Sequence, residues 1–381
     1  MIPVHHYSIA APVAHGNSAL HTSAPANSTA FFAAVQQAYQ HAKKTTGPVI
    51  ERDFLIHGHR LRVQFAGPAL VEPCTLALDH LAVEAAGAFP ELTIRAWDSA
   101  SSKVMLPPCP WPPTQITAGG MVQGPPGDPI QAALQVDIGA LSLFDPFHRL
   151  ALYRVANAST LPANERASPM KVILHWWLRG FNLPMIHCGA VGTAAGGALL
   201  VGHAGSGKST SALACLSAGM RYVTDDRCVL SLADPEPNAL CIYNSAKLWP
   251  DQMRRFPKIM GAVSNHSELE SEKALAFVNR FAPAQLAMQL PIRVVLLACI
   301  ANHPQTTLAP TTPIRVLRDL VPSTWIYQPG AAHEEMQAMA QLVRRMPCRQ
   351  INLGSKLERI PEVITRAIED PTGPTGHCGG L

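Results

Sequence analysis

The segment Gly202-His-Ala-Gly-Ser-Gly-Lys-Ser209 constrains this chain more than any other. It satisfies the pattern G-x-x-x-x-G-K-[ST], follows the apolar run Ala198-Leu-Leu-Val201, and precedes a helical run from Ser209 to Ala218 closed by Gly219. Strand, glycine-rich turn and helix in that order let successive backbone N–H groups converge on one phosphate, and the helix N-terminus adds positive potential. Gly202, Gly205 and Gly207 permit the curl, and with Ser206 and Thr210 they make up a nucleotide-binding loop. Lys208 is placed to bridge the β- and γ-phosphates. Ser209 offers its hydroxyl to Mg²⁺, a hard cation that takes oxygen ligands. The alternatives are a glycine-rich helix start without a ligand and a degenerate loop that binds nucleotide without chemistry, and the complete set of side chains weighs against both.

Paired carboxylates follow in Arg221-Tyr-Val-Thr-Asp-Asp226, a strand with only one helix between it and the loop; Asp225 stands seventeen positions after Lys208. This spacing predicts that the carboxylates emerge on the strand next to the loop. There one can hold the metal and the other accept a proton from an attacking hydroxyl. An Asp-Asp pair elsewhere is more often a solvated turn. His187 lies twenty-one positions before Lys208, on the strand Met185–Val191, which pairs as a hairpin with Ala198–Val201. A histidine there serves the site or the core with equal ease.

Composition excludes several classes. The 381 residues suffice for two domains, and charged residues are only 15%, so the chain is neither a coiled coil nor a charged disordered protein. The net charge of +4 comes from dispersed Lys and Arg, not from the stripe that nucleic acid needs. Nine scattered Cys, never in C-x-x-C spacing, suggest neither a disulfide framework nor zinc, and fit a cytoplasmic setting. No apolar run reaches the ~20 residues that span a bilayer. Neither nucleic acid nor membrane is therefore expected as a partner.

The organisation predicted along the chain is a mobile tail at 1–47, with one short helix over Thr29–Ala42. An α+β accessory domain follows at 48–180, carrying a Pro-rich loop at 105–129 where missing amide donors exclude regular structure. Within it, Leu61–Phe65, Leu92–Trp97 and Leu134–Val155 have strand character. Cys74–Leu81 and the run from Pro169 to Leu178 have helical character. A phosphate-loop domain occupies 181–370, with helices from Thr312 to Arg345 broken near Gly330, and 371–381 forms a flexible end.

His187, the hairpin, Gly202-His-Ala-Gly-Ser-Gly-Lys-Ser-Thr210, the following Ala-Leu-rich helix, and Tyr222-Val-Thr-Asp-Asp-Arg227 together resemble the P-loop domain of HPr kinase/phosphorylase and its HPr-kinase-like relatives. Some of these phosphorylate serine on ribosomally made precursor peptides. The likeness is best over residues 181–250. It implies an α/β, PEP-carboxykinase-like P-loop kinase domain with a mixed sheet, behind a smaller α+β N-terminal domain. It also implies Lys208 on the phosphates, Ser209 and Asp225 around Mg²⁺, Asp226 as the base for a serine hydroxyl, and His187 orienting or charge-balancing the aspartates. Lys247, in Asn244-Ser-Ala-Lys-Leu248, resembles a lysine that follows the acidic strand in uncharacterised members; it is either a phosphate contact or a surface lysine without a role. The motif carrying the family's downstream metal-binding glutamate, and the loop used in phosphorolysis, are absent.

The expectation is an ATP- and Mg²⁺-dependent kinase acting on serine in a protein or peptide, and compatible with a homo-oligomer. The rival classes are a nucleotide-dependent peptide-binding or chaperone protein and a small-molecule kinase.

Overall fold

The computed structural model describes residues 27–84, 89–117, 119–124, 127–233, 235–327 and 333–373. Residues 1–26, the helix break near Gly330 and residues 374–381 lie outside this set. The fold is mixed α/β.

The first described element is α1 (Ser28–Thr46), capped by the Asn27 side chain on the Ala30 amide. It overturns the reading of residues up to 47 as a mobile tail wherever the chain is described. Phe31, Val35, Tyr39 and Ala42 recur at helical spacing, and that stripe is buried in one core with Trp97, Leu141 and Leu152 of the first sheet. The helix runs four residues beyond the predicted end at Ala42, through Lys43 and Lys44 to Thr46, where the Thr45 and Thr46 hydroxyls donate to the Ala42 carbonyl.

The first sheet contains β1 (Val49–Ile56), β2 (His59–Ala66), β3 (Ala82–Val83), β4 (Leu92–Asp98), β5 (Gln131–Gln135), β6 (Ala140–Asp145) and β7 (Leu150–Val155), in spatial order β3-β1-β2-β4-β7-β6-β5. It is mixed: β4 lies parallel to β2 and β7, and the remaining pairs are antiparallel. Between residues 105 and 129 the described residues contain only a turn at Pro113–Gln115 and isolated bridges, as the missing proline donors require. Helix α2 (Lys171–Arg179) begins two residues after Pro169, because Met170 sits in a left-handed conformation at its N-cap.

The second sheet is built from β8 (Met185–His187), β9 (Gly189–Thr193), β10 (Gly196–Val201), β11 (Arg221–Thr224), β12 (Arg227–Ser231) and β13 (Asn238–Leu240), joined after the small β14 (Ser245–Leu248) and β15 (Ala274–Phe277) ribbon by β16 (Gln289–Ile300), β17 (Thr307–Pro310) and β18 (Cys348–Leu353). The twelve-residue β16 is its spine. Its first residues pair antiparallel with β13, and its later ones pair parallel with β10 and β18. Helix α3 (Lys208–Ser217) leaves the loop, while α4 (Pro313–Tyr327), α5 (His333–Arg345) and α6 (Arg359–Glu369) cover the faces.

Two readings of this sheet are corrected. Met185–Val191 is not one strand: it breaks at Cys188 into β8, which pairs with β12, and β9, which pairs with β10. The strand carrying the carboxylates is also not next to the loop strand, since β9 lies between β10 and β11. These corrections explain the site. The chain crosses between the two halves of the sheet at Cys188 and again at Asp225-Asp226, and the crossings are register partners, Ala190 with Thr224 and His187 with Arg227.

Candidate active site

The loop between β10 and α3 takes the shape its glycines allow. Gly202, Gly205 and Gly207 have φ of 147°, 78° and 95°, a region that side chains disfavour. A Cβ on Gly207 would stand 2.6 Å from Leu353 Cδ1, so space as well as torsion demands glycine there. The Lys208 amine turns back onto the Gly202 and His203 carbonyls at 2.7 and 2.9 Å. Burial lowers its pKa against the opposing pull of Asp226. Ser206 Oγ is buried with no hydrogen-bond partner, an orphan group on the loop that an anion or water would satisfy. Thr210 lies with Lys208 and Ser209 on the wall of the adjoining cavity.

The cavity has a volume of about 740 Å³ and holds the loop, His187, Asp226, Arg227 and Lys247 on its walls. Asp226 is the centre of a charge cluster. Its Oδ1 meets His187 Nε2 at 3.1 Å, its Oδ2 meets Lys247 Nζ at 2.8 Å, and Arg227 pairs with the same Oδ2. Burial by itself would raise the Asp226 pKa, but Arg227, Lys247 and the His187 hydrogen bond together hold it well below the carboxylate range. Asp226 is thus ionised. Asp225 has the opposite fate: burial raises its pKa, Lys247 opposes this, and the neighbouring Asp226 charge adds to it. Its Oδ1 accepts from Tyr222 Oη at 3.0 Å.

Sequence spacing and tertiary geometry agree that Lys208, Ser209, Asp225, Asp226 and His187 come together, and Lys247 joins them as a buried ion-pair partner instead of a surface side chain. Ser209 Oγ donates to the Asp225 carbonyl at 3.4 Å and acts on its carboxylate as well. Hydroxyl and carboxylate form an all-oxygen donor pair suited to a hard divalent cation that keeps its remaining positions for phosphate and water. Among the described residues, no group of three or more His, Cys, Asp or Glu is arranged to hold a metal ion.

Several residues escaped the sequence reading. His187 is held from α4, where Ser323 Oγ lies 3.2 Å from its Nδ1 and Thr324 Oγ1 accepts from its backbone N–H at 3.2 Å. Lys247 Nζ also donates to Asn164 Oδ1, from a short helical turn in the part read as an accessory domain. Arg227 adjoins the acidic pair but obeys no spacing rule. Only Arg227 carried any local signal, by adjacency; Asn164 lies 83 positions from Lys247, and Ser323 and Thr324 lie 136 and 137 from His187.

No family model matches the chain, and no curated protein matches it. Among solved structures, the Hpr(Ser) kinase/phosphatase from Coxiella burnetii aligns over 49% of this chain and 95% of that chain, at 14% identity and a TM-score of 0.28. Among the described residues, no helix is long and apolar enough to cross a membrane.

Proposed function

We propose that the chain is an ATP-dependent kinase that transfers the γ-phosphoryl group to a hydroxyl, serine in a protein or peptide being the acceptor that the family resemblance suggests. The observation that carries this is one cavity holding a glycine-turned loop with its lysine and, across from it, an ionised carboxylate ringed by His187, Arg227 and Lys247. A module that only binds nucleotide has no need of that second half.

In this reading Lys208 and the loop amides neutralise the phosphates, and charge stabilisation with positioning supplies most of the rate. Ser209 and Asp225 would hold Mg²⁺, which supplies charge neutralisation for the phosphate oxygens when bound. As the new bond forms between the acceptor oxygen and phosphorus, the bond from phosphorus to the bridging oxygen of ADP breaks, and the acceptor proton passes to Asp226. Asp226 is a weak base while two cations, Arg227 and Lys247, and the His187 hydrogen bond hold it. Incoming phosphate oxygens compete for Lys247 and Arg227, and that competition restores its basicity.

Lys208→Ala is expected to abolish both nucleotide binding and transfer of label from γ-labelled ATP to a serine-containing acceptor. Asp226→Asn is expected to abolish transfer while nucleotide binding persists, which also reports that the variant is folded. Full activity in Asp226→Asn would rule out its role as base. Release of free phosphate with no labelled acceptor in the wild type would favour the chaperone alternative.

A further inference from the structure

The cavity runs well past the phosphate loop, and two of its wall residues are large apolar side chains left exposed, Trp249 at 58% and Ile300 at 67%. Ile300 belongs to the loop's own surroundings, its Cγ1 standing 3.8 Å from where a Cβ on Gly207 would be. Trp249 has no such neighbour. It follows directly on β14, whose four residues are all buried, and opens the turn Pro250–Arg255. A tryptophan in that place with more than half its surface free is not serving the core.

Its surroundings suit a flat ligand. The Lys273 ammonium lies over one face of the indole, 4.9 Å from the ring centre. The same ammonium is close enough to act on Lys208, and it is itself acted on by Lys247, Asp225 and Asp226. Trp249 is therefore one side chain away from the phosphate-site cations. Beside it, Asp251 Oδ2 accepts from Gln252 Nε2 at 2.9 Å, and Arg255 donates to Gln252 Oε1 and to the Ser355 carbonyl, both at 3.0 Å. Arg255 thereby fixes this rim to the chain beyond β18. An aromatic face, a cation over it and a carboxylate on the same cavity wall are elements that can hold a nucleobase: stacking supplies affinity and the carboxylate reads N–H groups on the base.

We propose that Trp249 is the stacking platform for the nucleobase of the bound nucleoside triphosphate, with Asp251 accepting from an exocyclic amine on the base edge. The assignment rests on the nucleotide reading of the loop, and the experiment separates the two. Calorimetric affinities for ATP, UTP and inorganic tripolyphosphate, each with Mg²⁺, are compared in wild type, Trp249→Ala, Trp249→Phe and Lys208→Ala. Trp249→Ala is expected to weaken ATP roughly 5- to 150-fold, the range for losing one base-aromatic stack, and to leave tripolyphosphate unchanged, while Trp249→Phe keeps most of the ATP affinity. UTP, whose base lacks the amine, should bind more weakly than ATP, and Asp251→Ala should narrow that difference to what the weaker stacking of a pyrimidine leaves. If Trp249→Ala weakened ATP and tripolyphosphate alike, or neither, the platform would be disproved; equal wild-type affinity for UTP and ATP would disprove the role of Asp251. Lys208→Ala binding tripolyphosphate as well as wild type does would instead refute the phosphate reading of the loop.

Discussion

Asp225 and Asp226 are adjacent in sequence and identical in chemistry, yet their protonation is driven in opposite directions. Burial and the neighbouring charge raise Asp225, whereas Arg227, Lys247 and His187 overcome burial at Asp226. The pH dependence follows with a definite sign. The folded pKa of Asp226 lies below its unfolded value, so its contribution to stability is complete above about pH 4 and is lost as the pH falls towards the folded pKa. For His187, burial lowers the folded pKa against the pull of Asp226. The unfolded chain therefore takes up that proton first, and stability falls as the pH drops below about 6.5. Urea midpoints measured at pH 7.5, 6 and 5 should decline in the wild type, and His187→Gln should flatten the decline. An unchanged slope in that variant would mean that His187 does not titrate between the folded and unfolded states.

At the scale of elements, the site is made by two strand breaks and one helix. Continuous pairing through Cys188 would have placed His187 on the loop side of the sheet; the break sends it to β12, beside Asp226. Helix α4 then holds His187 at two points, Ser323 at the imidazole and Thr324 at the backbone N–H. Ser323→Ala is expected to lower kcat about tenfold, the equivalent of one hydrogen bond to a charged network, with KM for ATP unchanged. A rise in KM with unchanged kcat would point to a role in nucleotide binding instead. The strand order explains why spacing alone misplaced the strand that leads into the carboxylates: spacing counts the helix between Lys208 and Asp225 but cannot see β9 inserted between β10 and β11.

At the scale of the whole molecule, the first sheet is more than an accessory. One core runs without interruption from Phe54, Val63 and Phe65 through Trp176 and Trp177 to Val229, Tyr243 and Phe277. His175 Nε2 of α2 lies 3.3 Å from Glu335 Oε1 of α5, both side chains fully buried. Through Asn164 the N-terminal half also touches Lys247 at the site. Helix α1 belongs to this half, and Phe31, fully buried with its ring centre 5.0 Å from that of Trp111, ties it down. Phe31→Ala should cost about 3–5 kcal/mol in chemical denaturation, as for other buried aromatics. A loss below about 1 kcal/mol, the range of surface changes, would restore the picture of a loosely attached tail.

The loop, its lysine and serine, the paired aspartates and the unstructured proline-rich stretch were legible in the chain alone, because glycine torsions, a helix start and missing amide donors are properties of a few adjacent residues. Lys247 was legible as a residue but not as a partner of Asp226. The roles of Asn164, Ser323 and Trp249, and the opposite pKa shifts of Asp225 and Asp226, needed the tertiary structure. Each depends on groups from distant positions meeting in one poorly solvated place, where burial sets the strength of every charge and no local pattern records which groups will meet.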